Sequence, residues 1–139
     1  MSVVTLYHGT DSKSAADIME NGLNARSCLT SSLEVADYFG EARIEELQDL
    51  GELTDCIGQV ILAVNLPVDR LVVDYPAYEE PISIYRNVHT TCDREWHDGC
   101  DNGDIPYPKD ELDVLPALEA TTCVRVSGKI CGKLFSINE

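Results

Sequence analysis

A histidine followed by a glycine, at the end of a short apolar segment, is the first feature that could do chemistry. Residues 3–7 are β-branched and apolar, which predicts a buried strand that ends at His8, Gly9 and Thr10. Because glycine has no side chain, a ligand can approach the backbone of Gly9 closely and pair with its amide and carbonyl. We therefore expect a ligand-binding site at this strand end, although a histidine buried against a backbone carbonyl would give the same pattern.

Hydroxyl groups and an aromatic ring follow at the start of a predicted helix. Thr30, Ser31 and Ser32 offer hydroxyls, and Ser32 is a plausible N-cap. Tyr38 lies about two turns further along, where its ring can cover one face of a bound heterocycle. These residues predict that two segments converge on one ligand, with helix capping and core packing as the structural alternatives.

The elements that must position these residues indicate one α+β domain over residues 1–139. A helix is expected to begin at Asp11 or Ser12, to run to about Glu20 and to stop at Gly22. A second helix is expected to begin at Ser32 and to continue, after a break, through residues 45–47. Later strands are expected at residues 58–66, 71–75, 121–126 and 130–137. This order predicts a split antiparallel or mixed β-sheet with flanking helices, not a doubly wound one.

A polar, acidic stretch interrupts this order at residues 87–113, and we expect a long surface excursion there. It contains two His/Cys pairs, His89 with Cys92 and His97 with Cys100. Four such residues could bind zinc, but only four residues separate the pairs, tighter than the usual spacing. A surface loop without metal is therefore the favoured interpretation.

Composition limits the possible functions and partners. The net charge of −15 disfavours direct binding of nucleic acid and favours a protein partner with a basic surface, although solubility alone would also explain it. No apolar run is long enough to span a membrane, and the N-terminus lacks the features of a secretion signal, so we expect a cytoplasmic protein. The six scattered cysteines are then expected to be free thiols.

The segments around residues 6–10, 16–23, 29–32 and 36–38, taken in order, resemble the ADP-ribosyltransferase superfamily. The resemblance is to its diphtheria-toxin-like and poly(ADP-ribose)-polymerase-like branch. It implies that NAD is the co-substrate, that His8 binds the adenosine ribose and that Gly9 pairs with the nicotinamide carboxamide. Tyr38 matches a ring that stacks on nicotinamide. Thr10, Thr30 and Ser31 complete the implied NAD site.

The chain departs from this family at Thr30, where a second stacking aromatic is common. The hydroxyl run looks more like the Ser-Thr-Ser strand of the arginine-containing toxin branch. Tyr78 or Tyr85 could instead fold over the nicotinamide.

The resemblance also implies an acidic residue at the start of a late strand, which steadies the oxocarbenium ion as nicotinamide leaves. Glu119, just before the strand predicted at residues 121–126, is the first choice as catalytic acid. Asp113 and Glu111 are the alternatives.

The resemblance therefore implies a transferase that passes ADP-ribose from NAD to a protein. Small effectors of phages and bacteria do this, among them anti-CRISPR ADP-ribosyltransferases, and they would act in the host cytoplasm. An acidic surface suits a target such as a basic subunit of a nucleic-acid-binding complex. The alternatives are an RNA 2'-phosphotransferase-like enzyme, an NAD glycohydrolase and a non-catalytic inhibitor that mimics nucleic acid.

Overall fold

The structure is a computed structural model that describes residues 2–80 and 93–139. Its described helices are α1 (Ser12–Asn21), α2 (Leu33–Asp49), α3 (Pro76–Glu79), α4 (Asp93–Asn102) and α5 (Val114–Thr121). Its described strands are β1 (Val3–Asp11), β2 (Cys28–Thr30), β3 (Gln59–Pro67), β4 (Leu71–Val73), β5 (Cys123–Val126) and β6 (Ser136–Ile137). The predicted α+β class is confirmed.

The strands form one sheet of six, in the order β4-β5-β2-β1-β3-β6, and every described pairing is antiparallel. Strand β1 pairs with β3 along its full length, whereas it meets β2 only where Tyr7 opposes Thr30. Within the described residues, the edge of β1 beyond Tyr7 on the β2 side therefore has no strand partner. The sheet opens between these two strands.

Helix α1 begins and ends close to where the sequence predicts. The carboxylate of Asp11 accepts a hydrogen bond from the Ser14 amide at 2.8 Å, which caps the first turn. Gly22 ends the helix with a φ of 93°, and its amide donates to the carbonyl of Ile18 at 2.7 Å. A Cβ at Gly22 would also lie 2.6 Å from the carbonyl oxygen of Ile130, so both backbone conformation and space require glycine.

Helix α2 is continuous, so the break expected within it was wrong. Ser32 caps it, because its hydroxyl accepts from the Val35 amide at 3.3 Å. The helix crosses β1 so closely that a Cβ at Gly9 would overlap the carbonyl oxygen of Ala36. Gly40 is buried one turn further along the same helix. Packing against the sheet at this close approach outweighs the weak helix propensity of Gly40.

The predicted surface excursion was wrong for residues 93–102, which form helix α4, whereas residues 103–113 contain neither helix nor strand. Trp96 on this helix is fully buried, and its indole N–H donates to the carbonyl of Tyr78 at 2.9 Å. The large apolar area of one tryptophan anchors an otherwise polar helix on the core.

The last two predicted strands were partly wrong. Helix α5 continues to Thr121, whose hydroxyl donates to the carbonyl of Ala117 at 2.8 Å, and Thr122 ends it with a φ of 66°. Strand β5 therefore begins only at Cys123. Most of residues 130–137 is not strand, because Gly132 packs against the backbone of α1 and the chain turns there.

None of the described helices is long and apolar enough to cross a membrane. The five described cysteines are free, as predicted, although Cys56 and Cys131 are exposed rather than buried. Cys92 lies outside the described residues.

Candidate functional site

A cavity of about 230 Å³ lies where the sheet opens between β1 and β2, and we call it the first lobe. Four residues predicted from the sequence line it, namely His8, Gly9, Thr10 and Thr30. The other lining residues were not predicted and are Tyr7, Cys28, Leu29, Phe39 and Arg43. The two segments that the sequence singled out therefore do meet at one cavity.

His8 is held in one orientation by a backbone group. Its Nδ1 lies 3.1 Å from the carbonyl oxygen of Cys28. Burial lowers the pKa of His8 below its usual value of 6.5, despite an opposing effect of this hydrogen bond, so the ring is neutral at pH 7. Because a carbonyl can only accept, Nδ1 carries the proton and Nε2 is left as an acceptor.

Thr30 and Ser31 both form hydrogen bonds with Thr122, the residue directly before β5. The hydroxyl of Thr30, which is buried, lies 2.8 Å from the hydroxyl of Thr122 and also accepts from the Ser32 amide at 3.1 Å. The backbone amide of Ser31 donates to the carbonyl of Thr122 at 2.8 Å, and Ser31 is not part of the lining of the first lobe. These contacts tie the start of α2 to the turn before β5.

Of the two adjacent aromatic residues of α2, Phe39 lines the cavity and Tyr38 does not. Phe39 and Arg43 are four residues apart and share one face of α2, whereas Tyr38 is rotated by about 100° around the axis. The rings of Tyr38 and Phe39 meet edge to face, with centroids 5.8 Å apart. The predicted stacking role of Tyr38 stays a prediction.

Neither of the two other candidate aromatics is seen at the first lobe. Tyr78 is buried in a cluster with Trp96 and Tyr107, and its hydroxyl donates to the carbonyl of Pro106 at 2.7 Å. Tyr85 lies outside the described residues.

A second cavity of about 250 Å³, the second lobe, adjoins the first. Cys28 and Phe39 line both lobes, so the two cavities are neighbours, and we call them together the cleft. The remaining lining residues of the second lobe are Asp74, Pro76, Ala77, Glu80, Cys123 and Arg125. Pockets for small molecules commonly have volumes of ~300–1,000 Å³. The volume of each lobe alone is below this range, whereas the two volumes together fall within it.

Asp74 organises the second lobe, directly after β4. Its carboxylate accepts from Nε of Arg125 at 3.0 Å and from the thiol of Cys28 at 3.1 Å. The adjacent thiol of Cys123, burial and the charge of Asp74 raise the pKa of Cys28. Cys28 therefore stays protonated and acts as a hydrogen-bond donor, not as a nucleophile.

A second pair of arginine and aspartate borders the first lobe. Nε of Arg43 donates to Asp11 at 3.0 Å, and its other arm bonds the carboxylate of Glu46. Burial would raise the pKa of Asp11, but hydrogen bonds from the hydroxyl and amide of Ser14 and the charge of Arg43 outweigh it and lower the pKa to about 2. Arg43 is thereby fixed as the cation in the wall of the first lobe.

The predicted catalytic acid lies elsewhere than the sequence suggested. Glu119 is exposed in the last turn of α5, because this helix occupies the positions just before β5, and it does not line either lobe. Strand β5 begins at Cys123 and is preceded by Thr122, and neither residue is acidic. The catalytic role of Glu119 stays a prediction.

The two alternative acids, Glu111 and Asp113, contact residues outside the cleft. Glu111 forms an exposed ion pair with Arg26 at 3.8 Å, and Asp113 accepts from the Lys109 amide at 2.9 Å. Neither lines a lobe of the cleft.

The His/Cys pairs do not form a recognisable metal site over the described part of the chain. His97 is exposed on α4 and Cys100 is half-buried, while His89 and Cys92 lie outside the described residues. Across residues 2–80 and 93–139, no three histidine, cysteine or acidic side chains are grouped to hold a metal ion.

Four residues that sequence reasoning missed carry charge in the cleft, namely Arg43, Asp74, Glu80 and Arg125. A signal existed for Arg43, because it stands four residues after an aromatic residue on one predicted helix. Asp74 and Arg125 meet only because β4 pairs with β5, and no local pattern announces that pairing.

The chain matches no model of a known protein family, no curated protein and no solved structure.

Proposed function

We propose that this protein is an NAD-dependent ADP-ribosyltransferase that modifies a protein acceptor, on an ADP-ribosyltransferase-like split sheet. One observation carries the proposal. His8, Gly9, Thr10 and Thr30, chosen from the sequence as NAD contacts, line a single cavity although helix α1 separates the two segments.

The chemistry of that cavity suits a dinucleotide. The neutral ring of His8 leaves Nε2 as an acceptor for a ribose hydroxyl. Gly9 offers backbone without a side chain at the place where the sheet opens, which suits pairing with the flat carboxamide of nicotinamide. Phe39 supplies an apolar ring to the wall of both lobes.

The reaction exchanges one bond for another. The bond between C1' of the ribose and the nicotinamide nitrogen breaks, and its electron pair leaves with nicotinamide. The ribose develops positive charge, and a nucleophilic side chain of the acceptor bonds to C1' and loses a proton. A fixed negative group beside the ribose lowers the barrier, because it is in place before the charge develops.

The acceptor is a protein with a basic surface. With a net charge of −15 the chain repels phosphate backbones and attracts cationic surfaces. Such an enzyme acts in the cytoplasm, and in the host cytoplasm if a phage encodes it. A basic subunit of a nucleic-acid-binding complex, as in anti-defence effectors, fits this charge.

The proposal is tested by incubating the purified protein with NAD labelled in its adenosine part and with a bacterial lysate. We expect a labelled protein band and release of nicotinamide. His8→Ala should reduce both signals. His97→Ala is the matched control, because His97 is exposed on α4 and lines neither lobe.

Other outcomes would identify other functions. Free labelled ADP-ribose with no labelled macromolecule would indicate a glycohydrolase. ADP-ribose linked to phosphate removed from RNA would indicate a 2'-phosphotransferase. Without any release of nicotinamide, the transferase proposal fails and the non-catalytic acidic inhibitor takes its place.

A further inference from the structure

The two lobes of the cleft differ in the sign of the charge that they present. The first lobe carries Arg43 as its charged lining residue, since His8 is neutral. The second lobe carries two carboxylates, Asp74 and Glu80, and one cation, Arg125. A ligand that lies across both lobes therefore meets the guanidinium of Arg43, which is paired with Asp11 and Glu46, at one end and the additional carboxylate of Glu80 at the other.

The two carboxylates of the second lobe are not equivalent. Asp74 is buried, and its two oxygens are occupied by Arg125 and by the thiol of Cys28. Glu80 is exposed, and within residues 2–80 and 93–139 no hydrogen bond or ion pair engages its carboxylate. The carboxylate that can still respond to a bound cation is that of Glu80.

The short helix α3 positions Glu80. Ala77 lies within α3 and Glu80 directly follows its last residue, and both line the second lobe. Tyr78 is buried away from the lobe, where its hydroxyl donates to the carbonyl of Pro106. The amide of Glu80 also donates to the carbonyl of Pro76 at 3.0 Å. The turn is thus anchored from behind while Glu80 faces the cavity.

We propose that Glu80 supplies the carboxylate that stabilises the positive charge on the ribose as nicotinamide departs. This inference rests on the proposed transferase function. A carboxylate held beside the reacting ribose attracts the developing oxocarbenium ion more strongly than it attracts the ground state, and this difference accelerates the reaction. Glu80 then takes the part for which the sequence suggested Glu119.

The proposed pairing with Gly9 orients the dinucleotide. With the nicotinamide carboxamide paired to Gly9 in the first lobe, the ribose bonded to it lies at the junction of the two lobes, on the side toward Glu80. Cys28 and Phe39, which line both lobes, lie at that junction.

The test measures NAD binding and nicotinamide release separately for Glu80→Gln. We expect the dissociation constant for NAD to change by less than about threefold, and the rate of release at saturating NAD to fall about a hundredfold, because positive charge moves from the nicotinamide ring to the ribose only as the transition state forms. Glu80→Asp should recover part of that loss, since it restores a carboxylate at shorter reach.

Glu79→Gln is the matched control. Glu79 is an exposed glutamate on the same helix and does not line the cleft, so its removal should leave the rate of release unchanged. The melting temperatures of both variants should equal that of the wild type, because both side chains are exposed.

The remaining arm is Glu119→Gln, which separates the two candidate acids. A wild-type rate in Glu80→Gln together with a lost rate in Glu119→Gln overturns the assignment to Glu80 and leaves the transferase proposal standing. An equal loss in Glu80→Gln and Glu79→Gln also overturns it, because the general charge of α3 would then be responsible. If the wild-type protein neither binds NAD nor releases nicotinamide, the proposed function fails as well.

Discussion

The two lobes of the cleft each contain an arginine bonded to a buried aspartate, yet they are built in different ways. In the first lobe Arg43 faces the cavity, while Asp11 stands behind it as the cap of α1. In the second lobe Asp74 and Arg125 both line the cavity and are joined by the pairing of β4 with β5. The Nε–Oδ distance is 3.0 Å in both pairs.

The difference shows how one motif can serve two purposes. Asp11 caps α1 and fixes the guanidinium of Arg43, which lines the first lobe. The carboxylate of Asp11 itself does not line that lobe. Asp74 neutralises Arg125 inside the second lobe, so the nearby Glu80 supplies the excess charge there. Four predictions test this contrast, from the largest effect to the smallest.

The largest effect is expected from Gly9→Ala, which should disrupt the first lobe and not the second. The new Cβ would overlap the carbonyl oxygen of Ala36, and neither the strand nor the helix can move without breaking its hydrogen bonds. We expect the free energy of unfolding, measured by urea denaturation, to decrease by about 3 kcal/mol.

Gly58→Ala is the control for that variant, because a Cβ at Gly58 would meet no atom within 4 Å. It should remain within about 0.5 kcal/mol of the wild type. A Gly9→Ala protein as stable as this control would mean that α2 does not lie against β1.

The next effect is a decrease in the free energy of unfolding at acidic pH, which comes from Asp11, the partner of Arg43. The pKa of Asp11 is about 2 in the folded protein, against 3.8 without these contacts. Because the folded pKa is the lower one, its contribution is complete above about pH 4 and disappears as the pH falls toward 2. That contribution is about 2 kcal/mol.

Asp11→Asn isolates this contribution from the other acidic groups. Asparagine can still cap α1 but has no charge to lose. The stability of the wild type should therefore fall more steeply than that of the variant between pH 5 and pH 2, as measured by urea denaturation. Parallel curves would show that the contacts with Ser14 and Arg43 do not depress the pKa of Asp11.

His8→Ala should weaken the proposed binding of NAD by about tenfold, the value of one hydrogen bond of about 1.4 kcal/mol. Burial keeps the pKa of His8 below 6.5, so wild-type affinity should be level from pH 8 to pH 6.5. It should then decrease in more acidic buffer, where protonation removes the acceptor at Nε2. Calorimetric titration with NAD at several pH values checks both expectations, and an affinity that rises in acid would contradict them.

The smallest effect concerns the ring that both lobes share. Phe39→Leu should weaken NAD binding by about fivefold, since contacts between an aromatic ring and a flat ligand contribute about 1 kcal/mol. Tyr38→Leu tests the sequence-based prediction on the same helix. A larger loss of affinity in Tyr38→Leu would mean that Tyr38 turns into the cleft when ligand binds.

Much of the first lobe was predictable because its signals are local. A strand that ends in His8-Gly9, a cap at Asp11 and a cap at Ser32 depend on residues a few positions apart. Trp96 was different, since its neighbours are polar and acidic, and nothing nearby indicates that the fold brings Tyr78 to its indole N–H. The helix that replaces the start of the late strand was missed because Thr121 and Thr122 are typical strand residues.

The sequence alone was enough to predict the α+β class. It also predicted that His8 and Gly9 lie near the end of β1 and that hydroxyl residues lie at the start of α2. Periodicity, helix capping and glycine placement each depend on residues a few positions apart, so they can be recognised in a short stretch of sequence. Only the tertiary structure decided which charges face the cleft, because Arg43, Asp74, Arg125 and Glu80 lie in or directly after four separate elements. Their positions follow from strand pairing and helix packing, which depend on the whole chain.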